Sequence, residues 1–218
     1  MDSDTASATV LRGQYMIHYS KSNSQAHQES FVLNVLNEKK NGVYVELGGG
    51  WPVKNSNTYL LETKYNWRGV SFENGKKRAK KYNKKRKNKT LLEDATTFNY
   101  LNYFYENNFP NQIDYLQMDI HPAEDTLKAL KNIPLDRYRF SVITYEHNGY
   151  LNKQNQIESQ NILNQYGYKL VVEGLMVVEG AWYEDWWVDP TVVDPEMYNE
   201  FMSSYITHDR LFTGSNIK

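Results

Sequence analysis

The chain has 218 residues, 23% of them charged and 40% hydrophobic, which is the composition of one ordinary globular domain with a real core. It has no cysteine, which excludes disulfides, thiolate metal centres and a cysteine nucleophile. Its 25 basic and 26 acidic residues nearly cancel, no apolar run is long enough to span a bilayer, and Met1-Asp2-Ser3-Asp4-Thr5 has no signal-peptide pattern, so a cytoplasmic protein is expected.

Residues 1–21 are polar apart from Tyr15-Met16-Ile17-His18-Tyr19 and read as a loosely ordered start. Over 30–37, Phe31, Val32, Val35 and Leu36 share a helical face, and Asn41-Gly42 closes that segment. Val43-Tyr44-Val45-Glu46-Leu47 then reads as a buried strand breaking into Gly48-Gly49-Gly50, where the backbone can take positive φ and approach a ligand. Ser56-Asn57-Thr58 supplies N-cap residues for a helix over 58–65. Four more strand-like runs also end in acids: 69–73 at Glu73, 91–94 at Glu93-Asp94, 114–119 at Asp119 and 140–146 at Glu146. Helical segments over 97–107, 124–130 and 154–166 separate the later ones. Strands joined through helices run parallel with right-handed crossovers. Runs over 168–178 and 183–188, joined through Glu179-Gly180-Ala181, predict an antiparallel hairpin. A weak helix over 196–205 follows Pro190 and Pro195, within a C-terminal extension over 190–218. With no repeat and no linker, the expectation is one α/β domain, Rossmann-like, with helices on both faces of a mostly parallel sheet.

Ligands of open α/β sheets bind outside the carboxyl ends of the strands. Here that edge carries a row of carboxylates, which repels a pyrophosphate and favours a cationic ligand with free ribose hydroxyls. The dinucleotide fingerprint lacks its third glycine, since Val53 stands there after Trp51-Pro52, and the Walker lysine and hydroxyl are missing. S-adenosylmethionine carries an ammonium, a sulfonium and a ribose diol, and no phosphate.

The run Glu46-Leu47-Gly48-Gly49-Gly50 with Ser56-Asn57-Thr58 and Trp67-Arg68-Gly69-Val70-Ser71-Phe72-Glu73 resembles the FkbM-type class I methyltransferases. So do Asp114 to Asp119 with Thr126-Leu127-Lys128-Ala129-Leu130, Val142-Ile143-Thr144-Tyr145-Glu146-His147, Ser24-Gln25 and Glu184-Asp185-Trp186-Trp187. The resemblance spans roughly residues 22–190 and implies a seven-stranded sheet with a reversed last strand, S-adenosylmethionine as cofactor and O-methylation as the chemistry. The chain departs from the family at Trp51-Pro52, where Asp-Gly is usual, and at Asp119-Ile120-His121-Pro122, where Asp-x-Glu-Gly is common.

The cofactor contacts expected on this reading are Glu46, Gly48, Gly49, Gly50, Asn57, Glu73, Asn74, Asp94, Ala95 and Asp119. Glu73 would accept both ribose hydroxyls, and Glu46 would face the methionine ammonium directly or through water. Asp94 would accept from the adenine amino group, or cap the following helix. His121 is the candidate general base, because an imidazole takes a hydroxyl proton near neutral pH; the bland alternative is a structural histidine. Asp119, Glu146 and His147 form a candidate catalytic cluster that could hold Mg²⁺ or another divalent cation, as in catechol-type O-methyltransferases; the alternative is local hydrogen bonding. Residues 76–89 hold 10 of the 25 lysines and arginines. They read first as a solvated helix and second as a contact for nucleic acid or an anionic surface. The leading expectation is an O-methyltransferase for a hydroxyl of a sugar, glycan or small metabolite. The alternatives are a nucleic-acid methyltransferase using the basic block and a non-catalytic S-adenosyl-ligand-binding domain.

Overall fold

The computed structural model describes residues 22–213. Alternating apolar and helical segments build α1 (Gln28–Val35), β1 (Val43–Leu47), α2 (Tyr59–Tyr65), β2 (Arg68–Phe72), α3 (Lys76–Lys85), β3 (Thr90–Leu91), α4 (Tyr100–Glu106), β4 (Gln112–Met118), α5 (Ala123–Asn132), β5 (Arg139–Glu146) and α6 (Lys153–Gln165). The hairpin β6 (Lys169–Met176) and β7 (Trp182–Val188) follows, then α7 (Pro195–Tyr198), a 3₁₀ turn (Asn199–Phe201), β8 (Ser203–Ser204) and α8 (His208–Thr213). No helix among the described residues is long and apolar enough to cross a membrane.

The strands form one sheet in the order β3-β2-β1-β4-β5-β7-β6-β8. Neighbours are parallel except that β7 runs antiparallel to both β5 and β6, between which it inserts. The reversed strand is therefore the expected one. The sheet has eight strands rather than seven, because Ser203 and Ser204 pair with Val172 and Glu173 at the edge. The helix expected over 196–205 stops early for the same reason: the Tyr205 amide donates to the Glu173 carbonyl, so the backbone joins the sheet instead of continuing to coil.

Every residue of β1 is buried, and its side chains alternate between two cores. Val43, Val45 and Leu47 pack with Tyr100 and Phe104 of α4, Leu130 of α5 and Leu163 of α6. Tyr44 packs with Leu60 and Leu61 of α2, Trp67, Val142 and Trp186 in the core that also takes Phe31 and Val32 of α1. Glu46 shares the Tyr44 face of the strand, and its register partner on β2 is Ser71.

The polar part of this second core is organised by Arg86, the residue just past α3. Its guanidinium lies 3.2 Å from Glu62 and donates to the Pro52 carbonyl and to the Ser56, Thr58 and Tyr44 hydroxyl oxygens at 3.0–3.3 Å. It also stacks 4.8 Å from the centre of the Tyr82 ring. The loop after β1 is thus tied to α2 and α3 by one buried cation. Breaking a buried ion pair from one side leaves an uncompensated charge, so Arg86→Ala should lower unfolding free energy by about 3–5 kcal/mol. The exposed neighbour Lys85→Ala should stay within about 0.5 kcal/mol, both read by urea denaturation.

Candidate active site

The carboxyl ends of β1, β2, β3 and β4 meet in a cleft of about 220 Å³ lined by Gly48, Gly50, Glu73, Asn74, Asp94, Ala95, Asp119 and His121, among others. The floor is sewn from both sides. The Gly48 and Gly49 amides donate to the Phe72 carbonyl at the end of β2, and the Asp119 amide donates to the Leu47 carbonyl. Gly48 has φ +84°, and a Cβ there would stand 1.7 Å from the Asp119 carbonyl oxygen. Only glycine lets the two strand ends come this close.

Glu73 is buried, lines the cleft, and accepts from the Gly75 amide at 2.6 Å and from Arg78 at 3.0 Å. Arg78 is itself mostly exposed, so this partner can swing away. Asp94 accepts from the Thr96 hydroxyl and amide, and these two bonds hold its carboxyl below the usual range. Its Thr96 bonds form a turn ahead of α4, whose N-cap is Asn99, so the capping role considered for Asp94 goes to another residue. Asn74 and Ala95 sit on the wall beside these two acids. The lining has five acids, Glu73, Glu93, Asp94, Asp119 and Asp125, against Arg78 and His121.

Three expected roles are corrected by the geometry. Glu46 does not line the cleft. It is 2% exposed and accepts from the hydroxyls of Ser71, Tyr82 and Thr58, so it braces the loop from beneath instead of facing a ligand ammonium. Asn57 is buried in the loop rather than on the cleft wall, with no partner for its side-chain carbonyl oxygen. His147 does not join Asp119 and Glu146. Successive residues at a strand end point to opposite faces, and His147 is fully buried on the other one, accepting from the Gly149 amide at Nδ1 and donating from Nε2 to Asp185 at 3.1 Å. With both nitrogens engaged, it cannot complete a metal site with the two acids. Among the described residues the group with metal-ligand spacing is His27, His208 and Asp209, with His27 at the N-cap of α1.

The partner that Asp119 and Glu146 do have is Glu184, which sequence reasoning placed only within a family motif. Met118 pairs with Tyr145 across β4 and β5, which sets Asp119 beside Glu146, and Glu146 pairs with Glu184 across β5 and β7. The Asp119 carboxyl is pushed well up by burial and then by Glu146. Burial likewise raises Glu146, and it pushes Glu184 up to about 8 although Gln28 of α1 donates to it at 2.7 Å. Glu29, beside Gln28, is pushed up by burial to about 7. Close carboxylates of this kind hold protons that an incoming positive charge displaces. The arrangement therefore suits a cation, and its cleft offers no uncommitted arginine for a phosphate.

No protein-family profile and no curated protein matches the sequence. Solved structures do match in shape. A provisionally assigned rRNA methylase from Clostridium thermocellum superposes with a TM-score of 0.54 at 12% identity, covering 77% of this chain and 96% of that one. The fold is that of the class I methyltransferases. Looser likenesses within this class I group include an rRNA methylase from Streptococcus thermophilus, with a TM-score of 0.48, 12% identity and coverage of 74% and 93%. A TehB-like SAM-dependent methyltransferase from Corynebacterium glutamicum has a TM-score of 0.48 and 11% identity, covering 85% of this chain and 99% of that one. In class I terms, the cleft lies where the fold's switch point between β1 and β4 puts ligands.

The raised acids set a pH dependence. Glu184 and Glu29 titrate near their usual 4.5 when unfolded but at about 8 and about 7 when folded. The folded chain holds more protons across that window, so this contribution to stability is full below the unfolded value and is lost as pH rises through the folded ones. The melting temperature of the ligand-free protein should fall between about pH 5 and pH 8, and Glu184→Gln should flatten the upper part of the fall. A melting temperature that rises over this window would contradict the burial of these acids.

Proposed function

We propose that the chain is an S-adenosylmethionine-dependent methyltransferase, of the FkbM type, acting on a hydroxyl of a sugar, glycan or small metabolite. The observation that carries the reading is the acid-lined cleft at the glycine loop, which complements a cationic ribose-bearing ligand and opposes a phosphate. The class I fold and the motif resemblance support it. When bound, S-adenosylmethionine supplies an activated methyl group.

The chain's own residues divide the work. Glu73 would accept the ribose hydroxyls in place of Arg78, and Asp94 and Ala95 would hold the base. Asp119 brings the acid row that it shares with Glu146 and Glu184 to the cleft, which favours positive charge there. His121, exposed on the cleft rim, takes the proton that the acceptor hydroxyl must lose.

S-adenosylhomocysteine should raise the melting temperature, as a ligand of the native state must, and a nicotinamide dinucleotide should not. Glu73→Ala should weaken that binding by about 1.5–3 kcal/mol, the scale of hydrogen bonds to a charged group. His121→Ala should leave binding intact and lower turnover about 10²–10⁴-fold. Calorimetry and a methyl-transfer assay separate these effects. A shift with the dinucleotide and none with S-adenosylhomocysteine would sink the cofactor assignment.

A further inference from the structure

The basic block of residues 76–89 is resolved by the fold into two unlike parts. Arg86 is a buried structural cation, and Arg78 is committed to Glu73 on the cleft wall. The remaining eight basic residues, all lysines, are exposed, and none of them is ion-paired among the described residues. No acid lies between Glu73 and Glu93 in the sequence to offset them. Helix α3 fixes the face: Ala79 and Tyr82 are its buried side chains, so Lys76, Lys77, Lys80, Lys81, Lys84 and Lys85 all project to solvent. A ten-residue helix is about 15 Å long. Six like charges along that length are held together against their own repulsion, which a bound polyanion relieves.

A second, independent feature joins this face to the cleft. Trp51 follows directly on the glycine loop and is 55% exposed, while most aromatic side chains of the chain are buried. Lys81 of the basic face stands over its ring, with Nζ 4.5 Å from the centroid. An exposed indole beside a basic stripe is what a single-stranded nucleic acid binds, with phosphates on the lysines and a base stacked on the ring. A duplex hides its bases from such a platform, and an inorganic anion makes no use of the ring.

From these observations we infer that α3 and Trp51 form a binding surface for single-stranded RNA, which leads a ribose-bearing strand to the rim of the cleft. RNA is chosen over DNA because the reaction proposed above needs a sugar hydroxyl. That choice, and the role of the strand as methyl acceptor, rest on the methyltransferase reading; the binding surface does not.

Fluorescence anisotropy with a uridine oligonucleotide of about 20 residues, without any methyl donor, tests the surface directly. Affinity should fall with salt by about 0.7 in log K per phosphate engaged, giving a slope near −3 for about four contacts. The variant Lys80→Glu, Lys81→Glu, Lys84→Glu and Lys85→Glu changes only exposed side chains outside the cleft. It should weaken binding at least about tenfold and reduce the slope, while S-adenosylhomocysteine affinity stays at the wild-type value. Trp51→Ala should weaken binding about 5- to 150-fold with the slope unchanged, the signature of lost stacking. No binding at about 50 mM salt, or equal binding by the lysine variant, overturns the inference. So does heparin binding as tightly as RNA with no effect of Trp51→Ala, which would assign the face to anionic glycans. RNA binding without S-adenosylhomocysteine binding would leave the surface standing and remove the methyltransferase reading.

Discussion

A single buried guanidinium holds the ligand edge of this protein in shape. Arg86 reaches from the end of α3 into the loop after β1, where it bonds the Pro52 carbonyl and the Ser56 and Thr58 hydroxyls while pairing with Glu62 of α2. Glu62 in turn accepts from the Lys87 and Asn88 amides, which fixes the chain leading into β3. Thr58 passes the network to Glu46, and Glu46 passes it through Tyr82 and Ser71 back to α3 and β2. Pro52 in this loop has no amide to donate, and its carbonyl is held by the same arginine. The loop therefore keeps its position by side-chain bonds rather than by the glycine-rich backbone alone.

The acids along the sheet edge fall into two groups with different physics. Glu46, Glu62 and Glu73 are each satisfied within the protein, by hydroxyls, amides or an arginine. Asp119, Glu146 and Glu184 are raised chiefly by burial, and then Glu146 raises Asp119, Glu184 raises Glu146 and Asp119 raises Glu184. The first group shapes the cleft. The second keeps a demand for positive charge where strands β4, β5 and β7 meet, and of the three Asp119 lines the cleft. Gln28 and Glu29 connect that demand to α1, because Gln28 bonds Glu184 while Glu29 accepts from the Leu60 amide of α2. The second group is linked in this way to the packing of the first two helices.

Much of the fold was legible from strand ends. Each acid-terminated run contributed a strand of the parallel sheet, although β3 stops at Leu91, short of Glu93 and Asp94, and the aromatic hairpin supplied the reversed strand. The errors at the site concern side-chain direction. Val43, Val45 and Leu47 alternate with Tyr44 and Glu46, so the parity of β1 already sent Glu46 to the face opposite Leu47, a signal that the position of Glu46 at the strand end obscured. Glu146 and His147 are consecutive, and the same alternation separates them. Arg86 was concealed among lysines, yet Ala79, Tyr82 and Arg86 stand at helical spacing and mark the buried side of the segment. Glu184 could not be placed by local pattern, since only the insertion of β7 beside β5 brings it to Glu146. The two-residue strand β8 depends likewise on a pairing between distant segments.

The central claim, that the glycine loop and its acids bind an S-adenosyl ligand, is tested most directly by a crystal structure of the protein soaked with S-adenosylhomocysteine. The account predicts density in the cleft, with the ribose hydroxyls on Glu73, Arg78 turned away from that carboxylate, the adenine at Asp94-Ala95, and the amino-acid end toward Asp119. An empty cleft with the ligand bound elsewhere, or with Arg78 still closed on Glu73 at saturating ligand, would contradict it.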